Sequence, residues 1–231
     1  MVPVENSLAG RVADIHHLIP DSGLFIIGEH FQRVNHQLLG LQNSDLKDIK
    51  SVKSHAQGLA QCRKFISDNN LLPVQHIDTA GAAEEISRTD DPTIAAIASD
   101  MASKIYNLKI LKSNIEDATH NTTRFLIMGR EPVMPSVDNT KSVTTIIFEV
   151  RSVPAALYKV LGGFATNGIN LTKLESYIGG KEMNAARFYV DAEGHPETAS
   201  MQNALEEMYF YTEPNSTKIL GTYPRAQKNK T

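Results

Sequence analysis

Cysteine is almost absent from these 231 residues: Cys62 stands alone, and tryptophan is missing altogether. One thiol cannot build an internal disulfide framework, and it suits a reducing compartment, so a cytoplasmic protein is expected. Excess positive charge is lacking too. With 23 Lys and Arg against 26 Asp and Glu the net charge is -3, which argues against a nucleic-acid binder and its basic face. No apolar run approaches the roughly 18 residues of a membrane span, so no membrane partner is expected. Residues 1–20 do not show the charged-then-apolar pattern of a secretory leader. Without secretion, the Asn-X-Ser/Thr triplets at Asn121, Asn170 and Asn215 carry no glycosylation meaning. Hydrophobic residues at 41% and charged residues at 21% exclude wholesale disorder, and the length allows one large or two ordinary domains.

Residues 130–141 hold Pro132 and Pro135 among polar residues and read as a linker. Beyond it, Val143–Val150 is a β-branched strand, and Pro154 is placed to open a helix. Leu157, Val160, Leu161 and Phe164 recur at helical spacing, and Gly168 suits the exit. A strand over 169–178, a Gly179-Gly180 turn, a strand over 185–190, a helix over 198–209 and a strand over 218–223 follow. The order is βαββαβ, the ferredoxin-like arrangement. Before the linker, strands are expected at 24–29, 36–41, 51–54, 73–77 and 94–98. Helices are expected at 55–69, at 79–88 and from Asp100. Such alternation predicts an α/β domain with largely parallel strands, whose ligands sit at strand carboxyl ends.

Asn121-Thr122-Thr123-Arg124-Phe125 sets a hydroxyl, a fixed positive charge and an aromatic ring side by side, entering the apolar strand Leu126-Ile127-Met128. The combination suits an anionic substrate that gains or loses a proton, although it equally reads as an ordinary strand start. Strand alternation means that Thr123 and Arg124 need not face the same side. Two other segments have the character of strand-to-helix loops: Glu5-Asn6-Ser7-Leu8-Ala9-Gly10 and Thr79-Ala80-Gly81-Ala82-Ala83. The small residues of the second leave backbone N–H groups open to a carboxylate, the plainer alternative being Thr79 as a helix cap. A turn is the plainer alternative for Asn6-Ser7.

His16-His17, His55, His76 and His120 match no ligand spacing, so no metal is expected and surface or capping roles are. Cys62 stands two helical turns, about 10.5 Å, from His55, too far for a nucleophile–base pair, and is expected to be buried. Gly162-Gly163 follows no strand and reads as close helix–sheet packing rather than a phosphate loop, and Glu206-Glu207 as a solvated face.

Together these motifs resemble the prephenate dehydratase family. Pro3-Val4-Glu5-Asn6-Ser7 is similar to its Pro-Ile-Glu-Asn-Ser segment, and His55-Ala56-Gln57, Gln61-Cys62 and Thr79–Ala83 to its helix-opening motifs. Asn121–Phe125 resembles its Thr-Arg-Phe signature, and Asn170–Ser176 the characteristic strand of an ACT regulatory domain. The resemblance implies a type 2 periplasmic-binding-protein-like catalytic domain over 1–130, with substrate in the cleft between its lobes. It further implies a linker over 131–141, a ferredoxin-like ACT domain over 142–225 and a tail over 226–231. The implied reaction converts prephenate to phenylpyruvate, water and carbon dioxide without a cofactor. Thr123 is then the catalytic residue, with Asn6, Ser7, Thr79, Arg124 and Phe125 as substrate contacts. L-phenylalanine is the implied effector, at Ala155, Leu157, Asn170, Leu171, Glu175 and Ser176, and a homodimer or larger homo-oligomer through ACT sheets is the implied assembly.

The sequence departs from that family in two places. The family's opening strand, Gly-rich loop, helix and further strand have no counterpart before Glu5, so a start at an internal Met and a catalytic domain incomplete at its N-terminus are expected. Its Gly-Ala-Leu and Glu-Ser-Arg-Pro motifs read here Ala155-Ala156-Leu157 and Glu175-Ser176-Tyr177-Ile178, which bears directly on phenylalanine feedback. Two rival readings are an arogenate dehydratase and a non-catalytic amino-acid sensor.

Overall fold

The computed structural model describes residues 1–118, 120–138, 141–179 and 185–226, and the chain divides into two units: residues 1–32 with 123–231, and residues 33–122. The expected Gly179-Gly180 turn and the tail beyond residue 226 reach outside the described residues. The first unit opens with β1 (Val2–Asn6), the short β2 (Gly10–Arg11), helix α1 (Ala13–Leu18) and β3 (Phe25–Arg33).

The second unit contains β4 (Gln37–Gly40), β5 (Ser51–His55), α2 (Ala56–Gln61), α3 (Arg63–Asp68) and β6 (Leu72–His76). It continues with α4 (Thr79–Ser87), β7 (Ile94–Ala98), α5 (Asp100–Ile105) and β8 (Lys109–Lys112). Its sheet runs β6-β5-β7-β4-β8. Strands β5, β6 and β7 are parallel, as the βα alternation predicts, but β4 lies antiparallel to both β7 and β8. The sheet is therefore mixed. Its two faces are both buried: Leu38, Val52 and Ile97 pack with Cys62 and Ile66, whereas Leu39, Ala96 and Ala98 pack with Ala82 and Ile86.

The single helix expected over 55–69 breaks at Cys62 (φ -118°, ψ 23°) into α2 and α3. The break is served from far along the chain, because the Asp117 carboxylate accepts the Lys64 N–H at 3.1 Å and the Asp117 N–H donates to the Gln61 carbonyl at 2.7 Å.

The first unit resumes with β9 (Thr122–Gly129), β10 (Ser142–Glu149), α6 (Ala156–Thr166) and β11 (Leu171–Gly179). It ends with β12 (Ala185–Glu193), α7 (Ala199–Tyr211) and β13 (Lys218–Pro224), completing the expected βαββαβ order. These strands form an antiparallel sheet in the order β11-β12-β10-β13, and the remaining strands form a second sheet, β2-β1-β9-β3. Residues 1–130 thus feed two sheets.

Helix α6 starts two residues after Pro154, because Ala155 adopts a left-handed conformation (φ 62°, ψ 16°) that no helix continues from. It ends as expected at Gly168. The Ile169 N–H donates to the Phe164 carbonyl and the Gly168 N–H to that of Ala165, the paired bonds of a Schellman motif. Strand β10 is buried on both faces. Ile146 and Phe148 pack under α6 and α7 with Val160 and Met208, while Val143 and Ile147 meet Val4, Ile26 and Leu126 of the second sheet. A Cβ on Gly221 would lie 2.0 Å from the Ile26 carbonyl oxygen, so only glycine lets β13 approach β3 this closely. Gly163 packs against Glu207 of α7, a helix–helix contact instead of the expected helix–sheet one.

Candidate functional site

Strands β1 and β9 are antiparallel, with Asn6 opposite Thr123 and Glu5 opposite Arg124. Cross-strand partners share a face and successive residues alternate, so the two rungs point to opposite sides. Asn6 accepts the Leu8 and Ala9 N–H groups on its Oδ1 at 3.0 and 2.9 Å. Those two bonds fix which end of the amide is oxygen, and Nδ2 therefore donates to Thr123 Oγ1 at 3.0 Å. With its oxygen accepting, the Thr123 hydroxyl is set to direct its own proton elsewhere. A donor on the oxygen also polarises the O–H and makes it a better donor. Ser7 is exposed at the turn beside Asn6, and the half-buried Phe125 lies two residues from Thr123 on the same strand face.

Arg124 faces the other way, and its guanidinium donates to groups of the protein itself. Its side chain is 8% exposed. Nε donates to Glu29 at 2.7 Å, Nη1 to Asp191 at 2.7 Å and Nη2 to the Tyr223 hydroxyl at 3.1 Å. Asp191 is fully buried and also accepts the Thr145 hydroxyl at 2.6 Å. Burial works against the guanidinium charge, but Asp191, Tyr223 and Glu29 outweigh it and hold the group more firmly protonated than usual. Burial likewise pushes the Tyr223 hydroxyl up, with Asp191 adding to it. For Glu5 burial raises the carboxyl, yet Lys173 and Arg124 prevail and leave it below the ordinary range.

Thr79 is the first residue of α4, whose cap is Asp78 rather than Thr79. The Asp78 carboxylate accepts the Gly81 N–H at 2.6 Å, taking up a group that the small-residue loop was expected to offer a ligand. His55 caps α2, accepting the Gln57 N–H at 3.2 Å, as a capping histidine should. His16, expected at the surface, is instead 1% exposed and edge-on to Tyr189. Cys62 is buried, and burial, with Asp117 and Glu116 adding, pushes its thiol up to about 12.

Among the expected effector residues, Leu157 and Leu171 pack on the core beneath α6 and α7, and Asn170 donates to Glu193 at 3.0 Å. Glu175 pairs with Arg11 at 3.5 Å, and the Ser176 carbonyl accepts from Arg11 at 3.3 Å. Ala155 is exposed at the start of α6. Sequence reasoning gave no role to Glu5, Glu29, Lys173 or Asp191. The one available signal was a lone aspartate in the apolar run Phe188-Tyr189-Val190-Asp191-Ala192. Among the described residues no three His, Cys, Asp or Glu side chains gather to hold a metal, and no helix is long and apolar enough to cross a membrane.

The family model described as prephenate dehydratase matches residues 1–133. The bifunctional N-acyl-homoserine lactone acylase/prephenate dehydratase of Komagataeibacter europaeus is 48% identical over 224 residues, covering 97% of this chain and 79% of that protein. A solved structure of a quorum-quenching acylase, GqqA, superposes with a TM-score of 0.89 at 46% identity, covering 97% of this chain and 81% of the other. The prephenate dehydratase of Arthrobacter aurescens in complex with L-Phe gives 0.84 at 30% identity, covering 97% and 74%. The chain spans 60% of the length of arogenate dehydratase/prephenate dehydratase 2 of Arabidopsis thaliana. On these matches the chain belongs to the prephenate dehydratase family.

Proposed function

We propose that the chain catalyses the decarboxylating dehydration of prephenate to phenylpyruvate, a step of L-phenylalanine biosynthesis, with Thr123 as the catalytic hydroxyl. The observation that carries the reading is the 3.0 Å bond from Asn6 Nδ2 to Thr123 Oγ1. In the reaction the ring carboxylate leaves as carbon dioxide, its electron pair enters the ring, and the C4–oxygen bond breaks as the ring becomes aromatic. The departing hydroxide takes up one proton and leaves as water. The driving force lies in the substrate, so the protein supplies orientation and a hydrogen bond, then a proton, to the leaving oxygen. Thr123, oriented by Asn6, donates to that oxygen; Asn6 and Ser7 serve the polar groups of the substrate, and Phe125 walls its ring. Thr79 is proposed as a carboxylate contact through its hydroxyl. The reaction so written uses no metal or redox cofactor.

The reading extends to domain organisation: a type 2 periplasmic-binding-protein-like catalytic domain over 1–130, a linker over 131–141, and a ferredoxin-like ACT domain over 142–225. The βαββαβ order and its β11-β12-β10-β13 sheet support the last of these. L-phenylalanine is the proposed effector, in keeping with the L-Phe complex of the Arthrobacter relative, and Ala155, Leu157, Asn170, Leu171, Glu175 and Ser176 are its proposed contacts. A cytoplasmic homodimer completes the proposal.

Purified chain incubated with prephenate and, separately, with arogenate tests it. Phenylpyruvate formed from prephenate is the expected result. Faster turnover of arogenate favours the arogenate reading, and no turnover of either by folded protein overturns the dehydratase, leaving the amino-acid sensor to be checked by binding of L-phenylalanine. The 48% identity to the Komagataeibacter protein brings a second reading, hydrolysis of N-acyl-homoserine lactones, checked by mass spectrometry of the released homoserine lactone.

A further inference from the structure

Substrate chemistry does not account for the charged side of the β1–β9 ladder. Glu5 and Arg124 form the rung beside Asn6 and Thr123, and both reach the βαββαβ sheet. Lys173 on β11, its side chain 7% exposed, donates to Glu5 Oε2 at 2.5 Å. Arg124 donates to Asp191 on β12 at 2.7 Å and lies 3.5 Å from the other Glu5 oxygen. Glu175, 3.8 Å from Lys173, pairs in turn with Arg11 of β2.

The ladder gives this rung particular weight. Asn6 is the last residue of β1, so the Asn6–Thr123 rung ends the strand. On its other side the register shifts between Pro3, opposite Phe125, and Glu5, opposite Arg124, leaving Val4 as an extra residue. A bulge interrupts a ladder locally and lets the strand bend. The reactive rung therefore has one ladder neighbour before the bulge, the Glu5–Arg124 rung. Buried ion pairs add little net stability over packed apolar residues, but they demand one geometry, because a buried charge displaced from its partner is costly.

We infer that Lys173 and Asp191, both in the C-terminal βαββαβ segment, are positioning residues for the Asn6–Thr123 pair, acting by fixing the Glu5–Arg124 rung. The inference rests on Thr123 as the catalytic hydroxyl. The C-terminal segment then contributes to catalysis as well as to any effector response.

The full chain carrying Lys173→Met, Glu5→Gln, the two together, or Lys173→Arg provides the test, with Asp191→Asn added if it folds. Prephenate turnover is measured well below the unfolding temperature, alongside amide hydrogen exchange of the peptide covering residues 2–11. The expected result is a kcat about tenfold lower or more for Lys173→Met, as small misplacements of reacting groups produce. KM should stay within about twofold, the double variant should be no worse than the worse single one, and Lys173→Arg should recover most of the rate. Exchange in residues 2–11 should quicken. A lower melting temperature with wild-type kcat and wild-type exchange overturns the inference. If the wild-type chain turns over no prephenate, the catalytic reading fails on its own, and the exchange of residues 2–11 still decides whether Lys173 holds the rung.

Discussion

Asn6 and Thr123 face each other across the β1–β9 ladder, the amide nitrogen of one 3.0 Å from the hydroxyl oxygen of the other. Turning the Asn6 amide over would cost the bonds from Leu8 and Ala9, so the direction of this hydrogen bond is fixed. Asn6→Asp keeps the turn but replaces the donor with an acceptor, which captures the Thr123 proton instead of freeing it. A fall in kcat of about a hundredfold or more is expected, the scale of one lost proton-handling group. Steady-state kinetics beside a circular-dichroism melt check it; an unchanged kcat would remove Asn6 from the mechanism.

Arg124→Met leaves Asp191 and Glu29 buried without their cation. Breaking a buried pair from one side costs about 3–5 kcal/mol, and Arg124→Lys, which lacks the planar fork, should recover only part of it. Urea denaturation measures both. A loss below about 1 kcal/mol for Arg124→Met, the worth of an exposed pair, would contradict the buried network.

Two backbone positions should respond with opposite signs. Ala155 holds φ at 62°, where glycine is favoured, so Ala155→Gly is expected to stabilise by about 0.5–1 kcal/mol after allowing for the freer unfolded chain. Gly221→Ala sets a methyl against the Ile26 carbonyl and should destabilise by about 2–3 kcal/mol or more. Thermal melts of the two variants on the same side of wild type would refute this placement of the backbone.

His16 makes stability pH-dependent. Burial first, then the Lys173 and Arg11 charges, lower its pKa, outweighing the Val12 carbonyl and Glu175, which raise it. Its Nε2 finds no hydrogen-bond partner among the described residues. As pH falls, the unfolded chain takes up this proton first, near the ordinary value of about 6.5. Stability present above that value is therefore lost as pH drops towards the lower folded pKa. His16→Phe should flatten the stability curve as pH falls below about 6.5. Parallel curves for variant and wild type would count against the buried neutral imidazole.

Much of the C-terminal half was legible in the sequence. The 3.6-residue spacing of Leu157, Val160, Leu161 and Phe164, closed by Gly168, belongs to local structure, and local structure is what periodicity reports. The illegible features depend on partners far along the chain. Asn6 and Thr123 are 117 positions apart, and nothing near Arg124 announces that Glu29, Asp191 and Tyr223 will surround it. The helix break at Cys62 depends on Asp117, and the antiparallel run of β4 on its insertion between β7 and β8. Alternation did anticipate that Thr123 and Arg124 need not share a face. It could not say which of the two the core would claim.

The most direct measurement is prephenate turnover by Thr123→Ala beside Thr123→Ser, with substrate binding followed by calorimetry. The alanine variant is expected to bind prephenate and lose most of its turnover, while the serine variant, which restores a hydroxyl, keeps a measurable part. Wild-type turnover by Thr123→Ala would contradict Thr123 as the catalytic hydroxyl.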